Sequence, residues 1–134
     1  MAKKRRRGHA RTLHVSTSSR EDWGVALEID AVVQSVSVPP PEESLESGDA
    51  DEPQPGPGGG YWGLMLPPGC PRRALLLGLG GGTVAHLLAR RCPGVAMVGV
   101  ERNAEVIAVA RAQFGLGALP KLAIVEADAF TWVA

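Results

Sequence analysis

Aromatic side chains are scarce in this sequence: three tryptophans, two phenylalanines and one tyrosine make 4% of 134 residues. A core built from it must be mostly aliphatic. Neither charge is in excess, since 14 Lys and Arg balance 14 Asp and Glu. That balance excludes a uniformly basic nucleic-acid domain. Cysteine is nearly absent. Cys70 and Cys92 supply neither a metal-ligand set nor a disulfide framework. The expectation is a reduced, cytoplasmic protein without a metal. No apolar run approaches the roughly 18 to 20 residues of a membrane span, so no membrane partner is expected. A secretion signal would place an apolar stretch straight after the basic start. Here that start runs into Gly8, His9, Arg11, Thr12 and His14.

What is present is enough for one domain: hydrophobic residues are 45% of the chain. The zero net charge hides an uneven layout. Residues 1–11 carry +6, residues 12–38 carry −3, residues 39–60 carry −6 and residues 61–134 carry +3. The first block, with Lys3, Lys4, Arg5, Arg6 and Arg7, reads as a disordered basic tail. Nothing aromatic is interleaved there, which weighs against a nucleic-acid partner. In residues 12–38, Val25, Leu27 and Ile29 alternate with Ala26, Glu28 and Asp30, and Val32, Val33, Val36 and Val38 follow. This predicts an N-terminal β-hairpin of two short strands turning near Asp30-Ala31. Such a hairpin must lie on something else to be stable. Residues 39–60 hold six acids, six prolines and five glycines. They read as an acidic Pro/Gly-rich loop, too polar to offset the entropy of ordering it.

From residue 61 the pattern changes. Ala74 to Leu79 is a short apolar run suited to a buried parallel strand. A glycine turn follows, then a helical pattern through Val84, Leu87, Leu88, Arg90 and Arg91 that Pro93-Gly94 closes. Val95 to Val100 predicts a second strand. Asn103 is placed to cap a second helix, with Gly115 just past its end. Leu122 to Val125 predicts a third strand. Three strands alternating with two helices make a parallel α/β unit.

The glycine turn, Gly78-Leu79-Gly80-Gly81-Gly82, joins a strand to a helix N-terminus. Glycine there permits positive φ and lets a ligand approach the backbone. Glu101 comes nineteen residues after Gly82, at the end of the second strand, where a carboxylate can reach ribose hydroxyls. Asp128 ends the third strand, placed to accept from an adenine amine. All three features fall at carboxyl ends of neighbouring strands, where open α/β sheets bind ligands. No Gly-Lys-Ser/Thr follows the glycines, so a P-loop is excluded. Thr83 stands where a dinucleotide fingerprint would want glycine or alanine.

These motifs resemble the first half of a class I S-adenosylmethionine-dependent methyltransferase, and more narrowly its spermidine synthase-like branch. Leu75 to Gly82 resembles that branch's glycine motif. Val100-Glu101-Arg102-Asn103-Ala104-Glu105-Val106 resembles its ribose-binding motif, and Glu126-Ala127-Asp128-Ala129-Phe130 its adenine-binding motif. Leu27 to Gln34 resembles its N-terminal hairpin, and Tyr61 and Met65 its residues before the first sheet strand. The fold implied is α/β: the first three parallel strands and two helices of a Rossmann-like sheet, preceded by a hairpin. The resemblance implies that Gly78, Gly80 and Gly82 line the methionine moiety of the donor. Glu101 would hold the ribose, Asp128 and the Ala129 backbone would read the adenine, and Gln34 and Tyr61 would flank the donor or acceptor site.

The cofactor implied is S-adenosylmethionine or its decarboxylated form, acting as donor substrate. Methyl and aminopropyl transfer both fit, and the acceptor (a polyamine, a protein or another small molecule) stays open. Three residues depart from the branch's pattern: Thr83 for an aspartate that faces the amine of the decarboxylated donor, Ala31 for glycine, and Asn103 for aspartate. The first predicts that ordinary S-adenosylmethionine binds at least as well. The resemblance ends after the third of seven strands, so no catalytic residue is assigned. The expectation is a fragment whose first sheet strand is an apolar edge prone to self-association. Two alternatives accompany it: a non-catalytic nucleotide-binding half-domain, or an interaction module completed by a partner.

Overall fold

The structure is a computed structural model and describes residues 12–20, 24–37 and 62–134. The basic tail, the acidic loop and Tyr61 lie outside the described residues. Two three-stranded sheets are present among those described.

The first sheet is antiparallel, with β1 (Val15–Arg20), β2 (Gly24–Ile29) and β3 (Val32–Val36) in that order. The predicted turn is there: Asp30 and Ala31 both take positive φ, 50° and 64°. Two left-handed residues in a row are the geometry of a two-residue hairpin loop. Alanine tolerates it at a cost of about 1–2 kcal/mol. The Asp30 carboxylate helps by accepting from the His14 N–H at 3.0 Å. The expected two strands are three. The extra strand, β1, reads Val-Ser-Thr-Ser-Ser-Arg and has no apolar alternation to betray it. It forms because β2 offers it a full ladder, from Val15 opposite Ile29 to Arg20 opposite Gly24.

The second sheet is parallel, with β4 (Arg73–Leu77), β5 (Ala96–Glu101) and β6 (Leu122–Glu126) in spatial order β4-β5-β6. Helix α1 (Thr83–Arg91) links β4 to β5, α2 (Ala104–Gln113) links β5 to β6, and the short α3 (Ala129–Val133) follows. Asn103 caps α2 as expected, its side chain accepting from the Glu105 and Val106 N–H groups. Gly115 lies one residue past the C-cap of α2 with φ 64°. Ala85 and Leu88 of α1, Ala110 of α2 and Met97 of β5 share one buried cluster, and Ala74 and Leu76 of β4 pack against it. Both helices therefore cover the same face of the sheet. On β4, Leu75 and Leu77 alternate with those residues and point the other way, 49% and 51% exposed. The first sheet strand is thus an edge among the described residues, with apolar side chains half in water.

A second cluster, Leu27, Val106 and Phe114, seats the antiparallel sheet on α2. Burying the Leu27 side chain completely is worth about 2–3 kcal/mol.

The expectation of reduced cysteines is corrected as well. Cys70 and Cys92 form a disulfide, with their Cα atoms 5.4 Å apart. The two are 22 residues apart in sequence, and two cysteines alone give no reason to pair. The fold brings them together: Cys92 is the C-cap of α1, and the segment before β4 passes over that helix end. There the Arg91 guanidinium donates to the carbonyls of Pro67 and Gly69.

Candidate functional site

The glycine turn leaves β4 at its carboxyl end. Gly78, Gly80 and Gly82 all take left-handed φ, 76°, 56° and 83°. Their reasons for being glycine differ. A Cβ on Gly78 would meet nothing within 4 Å, so that position is open to a ligand. A Cβ on Gly80 would come within 2.9 Å of the Ser35 hydroxyl. A Cβ on Gly82 would run into the Leu116 side chain at 2.2 Å. Gly82 is therefore glycine for packing as well as for conformation.

Glu101 ends β5 beside this turn. One carboxylate oxygen accepts from the Gly80 N–H at 3.0 Å, and the other accepts from the Asn103 N–H at 3.1 Å. Both bonds orient the carboxylate by backbone donors, and no cation pairs with it among the described residues. A carboxylate oxygen has two lone pairs, so each retains capacity for a further donor such as a sugar hydroxyl.

A cavity of about 600 Å³ opens between the glycine turn, the edge of β4 and the antiparallel sheet. Gln34, Gly78, Gly80 and Glu101 line it, as does Met65. Gly82, Asp128 and Ala129 are not among its lining residues. Asp128 is the N-cap of α3, its Oδ1 accepting from the Thr131 N–H at 3.1 Å. Its Oδ2 lies 4.0 Å from the Arg102 guanidinium in an exposed pair, an arrangement worth little. The size suits a nucleoside-sized ligand.

The sequence did not disclose how the cavity is held together. The Thr83 hydroxyl, 2% exposed, donates to the Val36 carbonyl at 2.7 Å and accepts from the Val36 N–H at 2.9 Å. The Ser35 hydroxyl accepts from the Gly81 N–H at 2.8 Å. These bonds clamp β3 onto the turn and carry Gln34 to the cavity. Trp62 adds a bond from its indole N–H to the Gln34 carbonyl at 3.3 Å. The signal available in sequence was only two small hydroxyl residues among apolar and glycine neighbours.

A second cavity, about 460 Å³, lies away from the glycine turn, beside His86, Arg90 and Lys121. His86 is packed within the fold. Its Nε2 lies 2.6 Å from the Phe114 carbonyl, a bond that requires Nε2–H. Burial lowers its pKa below the ordinary 6.5, against the raising effect of the Phe114 bond, and Arg90 lowers it further. The folded state thus binds this proton less readily than the unfolded chain. Its contribution to stability is complete above about pH 6.5 and declines as pH falls through the folded value. His86→Gln, which can still donate to Phe114, is expected to flatten that decline. Urea midpoints between about pH 5 and pH 8 check it: an unchanged slope would remove His86 as its source.

Neither a family model nor a curated protein matches the chain. Its fold does match solved structures. One is spermidine synthase from Thermotoga maritima, with TM-score 0.58 and 20% identity over 94% of this chain and 42% of that one. Another is spermidine synthase in complex with the transition-state analogue AdoDATO, with TM-score 0.54 and 20% identity over 90% of this chain and 38% of that one. The likeness is one of fold, and the chain spans about two fifths of the length of the structures it matches.

Proposed function

We propose that this chain, which has the fold of the N-terminal part of spermidine synthases, is the donor-binding part of an S-adenosylmethionine-type transferase. The observation that carries the reading is Glu101. Its carboxylate is held by the Gly80 and Asn103 N–H groups at the rim of an open cavity, beside a glycine with free space over its backbone. In this reading Glu101 accepts from the ribose hydroxyls, and Gly78 and Gly80 line the methionine part of the donor. Gln34 flanks the donor or acceptor site, while Gly82 shapes the turn from behind. Asp128 and Ala129, outside the cavity lining but just past the end of the neighbouring β6, would meet an adenine that extends beyond Glu101. That one structure of like fold holds AdoDATO supports a small-molecule donor.

The chemistry asks little of these residues beyond positioning. The donor's sulfonium is already an activated leaving group. An acceptor nucleophile forms a bond to the transferred carbon while the carbon–sulfur bond breaks and its electron pair stays on sulfur. Holding the two in line supplies most of what a protein can add. Methyl transfer and aminopropyl transfer share this step and differ in which carbon is attacked. The acceptor is a polyamine, a protein or another small molecule.

Thr83 bears on the donor. Its hydroxyl is occupied by Val36, and no carboxylate stands at this position to pair with the amine of a decarboxylated donor. A carboxylate there would oppose the carboxylate of S-adenosylmethionine by about 4 kcal/mol at ~4 Å and an effective dielectric near 20. Ordinary S-adenosylmethionine is therefore expected to bind at least as well. Calorimetric titration of both donors tests this reading. Glu101→Gln keeps one acceptor oxygen but loses the charge, and is expected to weaken binding about 10- to 100-fold. Failure of the parent chain to bind either donor would overturn the reading, and a clear preference for the decarboxylated one would overturn the Thr83 argument.

A second reading is favoured by the half-exposed Leu75 and Leu77 on an edge strand. Here the chain is a nucleotide-holding or interaction module whose sheet is completed by a partner or by a second copy. Sedimentation distinguishes association from a monomer. Among the described residues no helix is long and apolar enough to cross a membrane. We propose the cytoplasm as its compartment, where a lasting structural disulfide is rare.

A further inference from the structure

We infer that the Cys70–Cys92 pair is a reversible thiol–disulfide exchange site that latches one wall of the donor cavity. The inference rests on the donor-binding reading above only for its effect on affinity.

The wall is the segment from Trp62 to Pro71. Trp62, Met65, Pro67 and Pro71 all line the cavity. The segment contains only one short 3₁₀ turn, Gly63–Met65, so its position depends on what ties it down. Its first end is tied by the Trp62 indole to the Gln34 carbonyl. Its middle is tied by Leu66, which packs on the core cluster. Its last end is tied to α1 by the disulfide and by Arg91, which reaches the carbonyls of Pro67 and Gly69. No residue between Gly69 and Pro71 belongs to a helix or strand. Beyond Cys70 the chain is fixed from Arg72, whose carbonyl accepts from the Ala96 N–H at 3.0 Å. Without the disulfide, only the Arg91 bonds, exposed to water, hold Pro67 to Gly69 against α1. Exposed bonds of this kind are individually weak.

The two cysteines are unequal in access. Cys70 is exposed, whereas Cys92 is buried at 4% among core residues. A small thiol or dithiol therefore attacks from the Cys70 side. The incoming thiolate forms a bond to Cys70 Sγ, the Cys70–Cys92 bond breaks, and its electron pair leaves on Cys92 Sγ, which takes a proton. A second thiol group attacks the reagent's sulfur in the mixed disulfide and releases Cys70 as its thiolate, which is then protonated. The pair has gained two electrons and two protons, and the reagent has become its disulfide. Oxidation by a small disulfide is the same sequence in reverse. Disulfides in reducing compartments are mostly of this transient or sensing kind, which reconciles the pair with the cytoplasm.

The oxidised chain holds the wall in its binding position, so a donor meets it pre-organised. In the reduced chain, part of the binding free energy goes into ordering it. The experiment uses the full chain, oxidised or treated with a dithiol, with S-adenosylmethionine and its decarboxylated form as probes. Reduction is expected to weaken donor binding about tenfold, within the usual range of coupling between sites. It should also speed amide hydrogen exchange within residues 62–71, at Met65 and Leu66 above all, whose N–H groups bond the Trp62 and Gly63 carbonyls, while leaving β5 protected. Cys70→Ser should show the reduced behaviour under both conditions, and Arg91→Ala should enlarge the difference between oxidised and reduced chain.

Equal affinity in the two redox states, or exchange over 62–71 that ignores the reductant, would overturn the latch. Should neither form bind either donor, the donor reading fails by itself, and hydrogen exchange alone still decides the latch. Finding both cysteines free to alkylation after exposure to a small disulfide would overturn it as well.

Discussion

Gly82→Ala is expected to destabilise the fold by about 2–5 kcal/mol, through two costs acting at one atom. The first is conformational. Gly82 is the N-cap of α1 with φ 83° and ψ 22°, and an L-residue in that region loses about 1–2 kcal/mol. The second is steric. The new Cβ would sit 2.2 Å from Leu116 Cδ2, far inside contact distance. Leu116 is 2% exposed and part of the main core cluster, so it has nowhere to turn. Overpacking of this sort costs about 1–3 kcal/mol. For a domain of ordinary stability, about 5–15 kcal/mol, the loss is a large share of the total. Gly78→Ala is the control. Its φ of 76° carries the conformational cost, but no atom lies within 4 Å of the added Cβ. Urea unfolding of the two variants should separate them by at least about 1–2 kcal/mol, and equal losses would refute the packing part.

Thr83→Val is expected to cost about 2–6 kcal/mol although it conserves shape, because it strands two buried polar groups. The Val36 N–H and carbonyl both rely on the Thr83 hydroxyl, and Val36 is 1% exposed. Leaving a buried donor or acceptor unpaired costs about 1–3 kcal/mol each. The damage should be directional. Exchange in β2 and β3 should rise, because their seat on the glycine turn is lost, while β4 and β5 keep their own ladder. Thr83→Ser retains the hydroxyl and should recover most of the loss. Adding Ser35→Ala to Thr83→Val should cost less than the two single losses summed, since Ser35 and Thr83 fasten the same strand to the same turn. A Thr83→Val chain within about 0.5 kcal/mol of the parent would show that the clamp contributes nothing.

Such a clamp was beyond reach of the sequence, and the contrast with what was within reach is physical. Every feature read correctly is local. Strands β4 to β6 announced themselves as short apolar runs, α1 and α2 by their periodicity, and the Asp30-Ala31 turn by the alternation on either side of it. Asn103 and Gly115 carry their roles in their own side chains, as cap and as left-handed residue. Glu101 could be placed beside the glycine turn because parallel strands bring their carboxyl ends together whatever the details of packing.

What stayed hidden is non-local. The polar strand β1 exists only because β2 offers it a ladder. Thr83 and Ser35 act on residues 47 and 46 positions away, and nothing in the intervening chain encodes that distance. The division of labour within the glycine turn, with Gly78 open and Gly82 filled from outside by Leu116, depends on a side chain from beyond α2. The cysteine pair is the plainest case, since two thiols with no pattern around them bond only once α1 and the segment before β4 meet. Composition, periodicity and glycine spacing thus determined the elements, because each is set by backbone conformation within a few residues. The tertiary structure alone decided which side chains close the cavity and tie its wall, because a contact forms only where two distant stretches pack within bonding distance.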